Sequence, residues 1–257
     1  MIKQKIKLIS LNMEGDKHLP KQKEFFLNES PDILCLQEIF EDTYLKIKRG
    51  FKLKGHFAPM WKIKEKKNGK KILRTMGIAL LTKLPVEKFQ KIYYNGDYKS
   101  IHNFIPGVTS QEKLSRVVII LKIRKKRDYF IIGNTHFTWS KDGKTSQQQI
   151  INLENLLKKI EVFPEIILCG DFNAPRGKKI FKKISKKYID NIPNSYKTSI
   201  DKNLHYAGKL NLMVDGLFST NKYQITNVTL INNISDHLAI KADIQIKPKK
   251  IQPFGKC

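Results

Sequence analysis

The sequence predicts an α+β fold in which strands outnumber helices and pack in two layers. Short apolar runs of strand length recur along the 257 residues, and a few segments with helical periodicity lie between them. No internal repeat and no linker rich in Pro, Gly and Ser divides the chain. Hydrophobic residues make up 40% of it, enough for a sizeable core. We therefore expect one domain over residues 1–247 and a polar tail over 248–257.

Nine apolar runs have the length and composition of strands. They are residues 6–12, 32–38, 76–82, 116–123, 129–137, 165–172, 212–219, 224–231 and 238–246. Residues 61–75 predict a charged hairpin that turns at Asn68 and Gly69. Residues 93–114 contain a glycine, a proline and a second glycine between two apolar runs, which indicates a loop.

Three segments predict helices. Residues 21–30 form a short helix before the second strand, and residues 146–163 carry apolar side chains at helical spacing. Ser146 is the expected N-cap of that helix, with Gln149 three positions later as in a capping box. Residues 178–189 predict a strongly basic helix.

The net charge is +26, from 49 basic and 23 acidic residues. Such a charge favours a polyanionic partner: DNA, RNA or an anionic membrane surface. Nearly all the basic residues are lysine, and Ile and Asn are also abundant, so an AT-rich genome is an alternative origin of the charge. The choice stays open at this point.

The chain shows no apolar stretch of 18 residues, so no transmembrane helix is expected. The start has no long apolar segment of the kind a secretory signal carries, which predicts a cytoplasmic protein. Cys35 and Cys169 lie in apolar runs, Cys257 is the last residue, and no pair has metal-ligand spacing. We expect reduced cysteines, with Cys35 and Cys169 packed in the core.

Several predicted strands end at polar side chains. These are Asn12, Glu38, Asn134, His136, Asp171, Asn173 and Asp215, while Asp236 and His237 come just before the last strand. Strand ends that meet at one edge build a site on a rigid scaffold.

Seven stretches carry a family resemblance: "LNMEG", "LCLQEIF", "GIALLTKLPV", "NTHFTW", "GDFNAP", "MVDGLF" and "SDHLAI", in that order from residue 11 to residue 240. With them the chain resembles the endonuclease/exonuclease/phosphatase superfamily, which includes deoxyribonuclease I and exonuclease III. The resemblance implies a four-layer α/β/β/α sandwich of the deoxyribonuclease I type and a metal-dependent phosphoesterase. His136 brings the chain closer to the histidine-containing branch than to exonuclease III.

Glu38 and Asp236 offer hard oxygen ligands, which suit Mg²⁺ or Mn²⁺. The resemblance puts Glu38 at the metal-binding glutamate of the family and Asn12 at an asparagine that supports the metal or the phosphate. The alternatives are solvated acids at strand ends for the first two and a turn residue for Asn12.

Asp171 and Asn173 lie two positions apart, so in an extended segment both point to one side. By resemblance, Asp171 positions the attacking water and Asn173 holds the scissile phosphate. An Asx turn that caps the strand end is the alternative. Gly170 is expected to allow the backbone to approach a ligand.

His237 resembles the catalytic histidine of the "SDH" motif, and Asp215 matches the acid that pairs with it. A carboxylate fixes the imidazole tautomer and stabilises the imidazolium. By resemblance, His136 is a phosphate ligand or the general acid to the leaving oxygen, with a core histidine as the alternative. Glu65 lies in a run too charged to identify it as the acid that orients His136.

Arg116 begins a strand and has a side chain suited to bidentate phosphate contact, but a sheet-edge arginine is an equal alternative. Trp139 could stack a base or pack in the fold. Specificity is expected in the loops of residues 55–75, 93–115 and 139–146.

We thus expect a monomeric, Mg²⁺-dependent phosphodiesterase or nuclease that acts on DNA or a DNA adduct. A phosphoesterase of the same fold that acts on a phosphorylated lipid or inositol is the first alternative. A nucleic-acid-binding module without turnover is the second, although every expected catalytic position is filled.

Overall fold

The computed structural model describes residues 4–67 and 69–248. These residues form thirteen strands and four α-helices. In chain order the elements are β1 (Ile6–Asn12), α1 (Leu19–Glu29), β2 (Ile33–Phe40), α2 (Glu41–Gly50), β3 (Lys54–Lys67), β4 (Lys70–Thr82), β5 (Val86–Asn95), β6 (Asn103–Phe104), β7 (Arg116–Lys125), β8 (Asp128–His136), α3 (Gln147–Ile160), β9 (Ile167–Asp171), α4 (Lys179–Ser185), β10 (Ile189–Asp190), β11 (Asp215–Ser219), β12 (Tyr223–Ile231) and β13 (Ala239–Ile246).

The strands form two mixed sheets. The first has seven strands in the order β12-β13-β1-β2-β4-β3-β6, and the second has six in the order β10-β11-β9-β8-β7-β5. Two central pairs are parallel, β1 with β2 and β8 with β9, so their carboxyl ends lie at one edge of each sheet. β13 is the last strand in the chain, and it lies between β1 and β12.

Side chains alternate between the two faces of each sheet, so that one face packs on the other sheet and the opposite face packs on helices. The result is four layers. In β1, Ile6 and Leu8 face the other sheet, whereas Ile9 and Leu11 face α1 and α2. In the second sheet, side chains such as Ile120 pack against α3 and α4. Strands buried on both faces are apolar at successive positions, as these sequences are. The chain therefore folds as the predicted α/β/β/α sandwich.

The nine predicted strands and the helix of residues 146–163 are confirmed, with bounds shifted by a few residues. Ser146 caps α3 as predicted: its Oγ accepts the Gln149 backbone N–H, and the Gln149 side chain accepts the Ser146 N–H. The predicted basic helix is shorter, because α4 ends at Ser185.

The connections differ from the expected ones at three places. Residues 41–50 form α2, which was not predicted. Residues 86–95 form β5, an edge strand whose side chains are mostly exposed, so the loop expected from residue 93 begins later. Residues 55–75, expected to act as a specificity loop, lie almost entirely in β3 and β4, as the hairpin prediction required.

The other expectations concern the turn, the tail and the cysteines. Asn68, Cys257 and residues 249–257 lie outside the described residues. Cys35 and Cys169 are buried free thiols, as expected. In the described part of the chain, no helix combines the length and apolar character needed to cross a bilayer.

Gly170 allows two strands, rather than a strand and a ligand, to approach closely. A Cβ built on it would lie 1.9 Å from the Thr135 carbonyl oxygen of β8, and its φ is +137°. Only glycine adopts this conformation readily. The close approach brings the ends of β8 and β9 together just before Asp171.

We expect Gly170→Ala to lower the free energy of unfolding by about 3 kcal/mol, because the added Cβ must push the two strands apart. Urea denaturation followed by circular dichroism measures the change. Gly50→Ala is the matched control, because a Cβ there meets open space. Equal stability of the Gly170 and Gly50 variants would contradict the role given to Gly170.

Candidate active site

The registers of the two sheets bring the predicted site residues to one edge. In the second sheet, Asp171 at the end of β9 lies beside His136 of β8 on one side and Asp215 of β11 on the other. From the facing sheet, Asn12 ends β1 and Glu38 lies near the end of β2. Five of the predicted residues therefore converge although they are far apart in sequence.

Glu38 reaches the site through an irregularity in its strand. The pairing of β2 with β4 shifts register between Leu36 and Ile39, and Glu38 has a φ of +48°. A bulge of this kind changes the direction of a side chain. The Glu38 side chain remains 31% exposed, in contrast to its buried neighbours on β2.

Asp171 is 1% exposed and forms hydrogen bonds through both carboxylate oxygens. Oδ2 accepts from Asn12 Nδ2 at 3.1 Å, and Oδ1 accepts the Asn173 backbone N–H at 2.8 Å. Burial raises the pKa of Asp171 to about 7, helped by the charges of Asp215 and Glu38 and opposed by that of His237.

Asp171 and Asn173 do not lie on one extended segment, contrary to the expectation from their spacing. Asn173 has a φ of +48°, so the segment is not extended, and the Asp171 carboxylate closes the Asx turn that was the alternative interpretation. Asn173 nevertheless lines the same cavity as Asp171. Its Nδ2 donates to the Phe137 carbonyl at 3.1 Å, which fixes the amide at the cavity wall.

His237 and Asp215 form the pair that the sequence predicted. The distance from His237 Nδ1 to Asp215 Oδ2 is 2.7 Å, and His237 Nε2 lies 3.9 Å from Asp171 Oδ2. Burial alone would lower the pKa of His237, but the carboxylates of Asp215 and Asp171 outweigh it and raise the pKa well above its usual value. This shift favours the imidazolium form of His237.

The pKa of His136 is shifted in the opposite direction. It is 3% exposed, and its Nε2 lies 3.5 Å from Asp171 Oδ2 and 3.7 Å from Glu38 Oε1. Burial, with the positive charges of Arg116 and His237, lowers its pKa well below the usual value. This shift favours the neutral imidazole, and the His136 Nδ1 atom has no hydrogen-bond partner among the described residues.

Glu65 forms an ion pair with Arg74. Glu65 Oε2 accepts from Arg74 Nη1 at 2.8 Å, and Arg74 also pairs with Asp16 and Asp42. Glu65 is thus part of an ion-pair cluster around the buried Arg74 and does not orient His136.

Arg116 is a buried residue of the site rather than a sheet-edge arginine. It is 2% exposed, and its guanidinium donates to Gln111 Oε1 at 2.6 Å and to the His136 carbonyl at 3.5 Å. Burial lowers the pKa of Arg116, and the more distant charges of Asp171 and Glu38 oppose this shift. Among the described residues no carboxylate lies within ion-pair distance of Arg116, so its charge is only partly compensated. An anion such as phosphate would supply that compensation.

These residues border an open cleft of about 790 Å³, which we call the main cleft. Asn12, Glu38, Asp171, Asn173, Asp236 and His237 line it, while Asp215 is buried behind His237. Trp139 is 49% exposed at the rim, so it is not a core packing residue.

Two groups of side chains could hold a cation. Asp171, Asp215 and His237 place ligand atoms within 4.8 Å of one another, but the latter two already share a hydrogen bond. Glu38 and Asp236 offer oxygen atoms to the main cleft. Burial raises the pKa of each, and the negative charge of Asp236 raises that of Glu38 further. A divalent cation would relieve this repulsion, and carboxylate oxygens suit Mg²⁺.

Glu14 and most of residues 205–211 also line the main cleft and were not predicted from the sequence. Glu14 lies in "LNMEG", two positions after Asn12, and it lines the cleft while paired with Lys17 and with His18 at 3.2 Å. Its position in a quoted motif could have identified it. Tyr206, which is 88% exposed, lies in an irregular segment without any local signal.

We expect Asp215→Asn to lower the pKa of His237, because the variant removes the negative charge closest to its Nδ1. Titration of the imidazole resonance by NMR in metal-free protein measures the change. Asp128→Asn, at the far end of β8, is the control. A His237 pKa that is equal in both variants would show that Asp215 does not stabilise the imidazolium.

Known structures of this fold superpose on nearly the whole chain. A family protein from Bacteroides thetaiotaomicron matches with a TM-score of 0.72 and 13% identity, covering 96% of this chain and 100% of that one. ANGEL2, a 2′,3′-cyclic phosphatase, matches with a TM-score of 0.67 and 14% identity over 96% of this chain and 97% of that one. At such identities the likeness shows the fold.

Sequence comparison finds relatives among Ccr4 subunits. A probable 3′-5′-exoribonuclease subunit Ccr4 from Vairimorpha ceranae is 22% identical over 62% of this chain, and Ccr4 from Candida glabrata is 23% identical over 67%. The matches span 37% and 22% of those longer proteins. The model of the Endonuclease/Exonuclease/phosphatase family matches residues 9–237. The chain therefore belongs to this family of hydrolytic phosphoesterases.

Proposed function

We propose that this protein is a divalent-metal-dependent phosphodiesterase that cleaves nucleic acid. The observation that carries the proposal is the position of Asp171. Its buried carboxylate lies between the cationic His237 and the neutral His136, and it faces an open cleft whose opposite wall carries Glu38.

In this proposal Asp171 orients the attacking water and accepts its proton. A carboxyl group with a pKa of about 7 can accept a proton at neutral pH and then release it. The Asn12 amide and the Asn173 backbone N–H hold the carboxylate in one orientation. A water bound to Asp171 would therefore have a fixed direction of attack.

His237, held by Asp215, donates a hydrogen bond to a phosphate oxygen, because a cationic imidazole stabilises the charge that builds up during attack. Asn173 and Arg116 contribute further donors. His136 serves as a neutral donor to the phosphate rather than as general acid, since its lowered pKa leaves little imidazolium at pH 7.

Glu38 and Asp236 would hold the cation, with Asn12 beside them, and Mg²⁺ or Mn²⁺ fits this oxygen-rich set. When bound, the ion neutralises charge on the phosphate oxygens. The donor set supports an alkaline-earth or similar hard cation, because no thiolate lies among the cleft residues.

We propose RNA as the substrate, in place of the DNA that was expected from the sequence. The sequence relatives are exoribonuclease subunits, and the net charge of +26 suits any polyanion. A panel tests the choice: single-stranded RNA, DNA of the same sequence, phosphotyrosyl-DNA, sphingomyelin and a phosphoinositide. Turnover of the lipid substrates alone would favour the lipid or inositol alternative.

Asp171→Asn should reduce kcat on the cleaved nucleic acid by about 10³-fold, because the amide cannot accept the proton of water. The shape of the side chain is kept, so the thermal transition should change little. Asp128→Asn is again the matched control. If Asp171→Asn retained turnover while folded, the role given to Asp171 would be wrong.

Removal of divalent ions with EDTA should abolish cleavage, and added Mg²⁺ or Mn²⁺ should restore it. Glu38→Gln should raise the Mg²⁺ concentration for half-maximal activity by at least about tenfold, because it removes one anionic ligand. Activity is titrated against free Mg²⁺ for the variant and for Glu87→Gln, a surface control on β5. Cleavage that persists in EDTA would exclude a metal-dependent mechanism.

A further inference from the structure

A second cavity opens beside the main cleft, and its lining has a different chemical character. We call it the side pocket. It has about the same volume, 790 Å³, and shares Glu38, Trp139, Asn173 and Tyr206 with the main cleft. A phosphate bound between His237 and Arg116 would therefore have one substituent directed to each cavity.

The walls of the side pocket are apolar and aromatic. They consist mainly of Trp61, Ile63, Met76, Phe104, Val108 and Leu114. The rings of Trp61 and Phe104 lie 6.0 Å apart at a tilt of 53°. Val108 is 75% exposed at the rim.

The floor of the side pocket carries polar atoms without partners. Arg116 and His136 line it, both at least 97% buried, and the Arg116 Nε and His136 Nδ1 atoms have no hydrogen-bond partner among the described residues. Buried polar atoms without partners are costly. The Arg116 Nε–H needs an acceptor, whereas the Nδ1 atom of a neutral His136 that donates through Nε2 needs a donor, so a ligand with both acceptors and donors would satisfy them. An alkyl chain would not.

The geometry points to a nucleobase in the side pocket, which we propose as the base of one nucleotide adjoining the scissile phosphate. Aromatic walls stack a planar ring, and the acceptors and donors of the base suit the polar floor. This inference rests on the proposed function and adds that one side of the cleaved bond is read by stacking. The main cleft, which is lined by acids and amides, takes the sugar and phosphate of the other side.

The test combines an altered pocket with an altered substrate. Phe104→Ala removes one aromatic wall, and Phe104→Leu keeps apolar packing while it removes the aromatic face. Phe89→Ala is the matched control, since Phe89 is an exposed aromatic residue that lines neither cavity. The substrates are the nucleic acid that the unchanged protein cleaves best and two versions with an abasic nucleotide on the 5′ or the 3′ side of the cleaved bond.

We expect the abasic change to reduce kcat/KM about tenfold on one side of the bond only. Both Phe104 variants should reduce kcat/KM for the intact substrate by about the same factor and should leave the substrate that lacks that base nearly unchanged. Phe89→Ala should change neither value.

Three outcomes would overturn the inference. The first is an equal loss on intact and abasic substrates, which would indicate a structural role of Phe104. The second is an unchanged kcat/KM of both Phe104 variants on the intact and the abasic substrates. The third is a larger loss of kcat/KM in the Phe104 variants on hexadecyl 4-nitrophenyl phosphate than on nucleic acid. That result would assign the pocket to an alkyl chain. If the unchanged protein cleaves no nucleic acid, the proposed function fails as well, and this result is distinct from the other three.

Discussion

Side-chain amides join the two sheets across their apolar interface, and the site depends on the alignment that they fix. Gln37 Nε2 of β2 donates to Asn134 Oδ1 of β8 at 2.7 Å, and Asn134 Nδ2 donates to the Leu36 and Ala79 carbonyls. Asn134 is fully buried, so these bonds lie in a low dielectric where a lost partner is costly. A slip of one sheet relative to the other would break all of them and would separate Glu38 from Asp171.

The hydrogen bond from Asn12 to Asp171 is the last connection of this kind before solvent. It joins the end of β1 to the end of β9, and the Asn12 Oδ1 atom accepts the Glu14 backbone N–H at 3.1 Å. One amide thus fixes the proposed catalytic carboxylate and the following turn together. Glu14, Glu38 and Asn173 all have positive φ values. Backbone strain of this kind persists only where the surrounding structure enforces it.

Much of the fold and most of the site could be predicted from the sequence, for a physical reason. Strands buried on both faces are apolar throughout, so β7 and β9 could be recognised from the sequence. Site residues at strand ends share the rigidity of those strands. β5 was missed because an exposed edge strand carries lysines, and α2 because only three of its ten residues are buried. The Asx turn at Asn173 is local and was one of the two alternatives that the sequence left open. The position of Tyr206, in an irregular segment, follows from no local pattern.

The position of β13 between β1 and β12 affects how the molecule folds. Ile6 pairs with Ile244, so the first described strand completes its hydrogen bonds only with the last, and contacts of such long sequence separation form slowly. His237 and Asp236 immediately precede that strand. A nascent chain that has not yet reached residue 246 holds Asp171 and Glu38 but lacks a docked His237. We therefore expect the candidate site to be completed late in folding, together with closure of the first sheet.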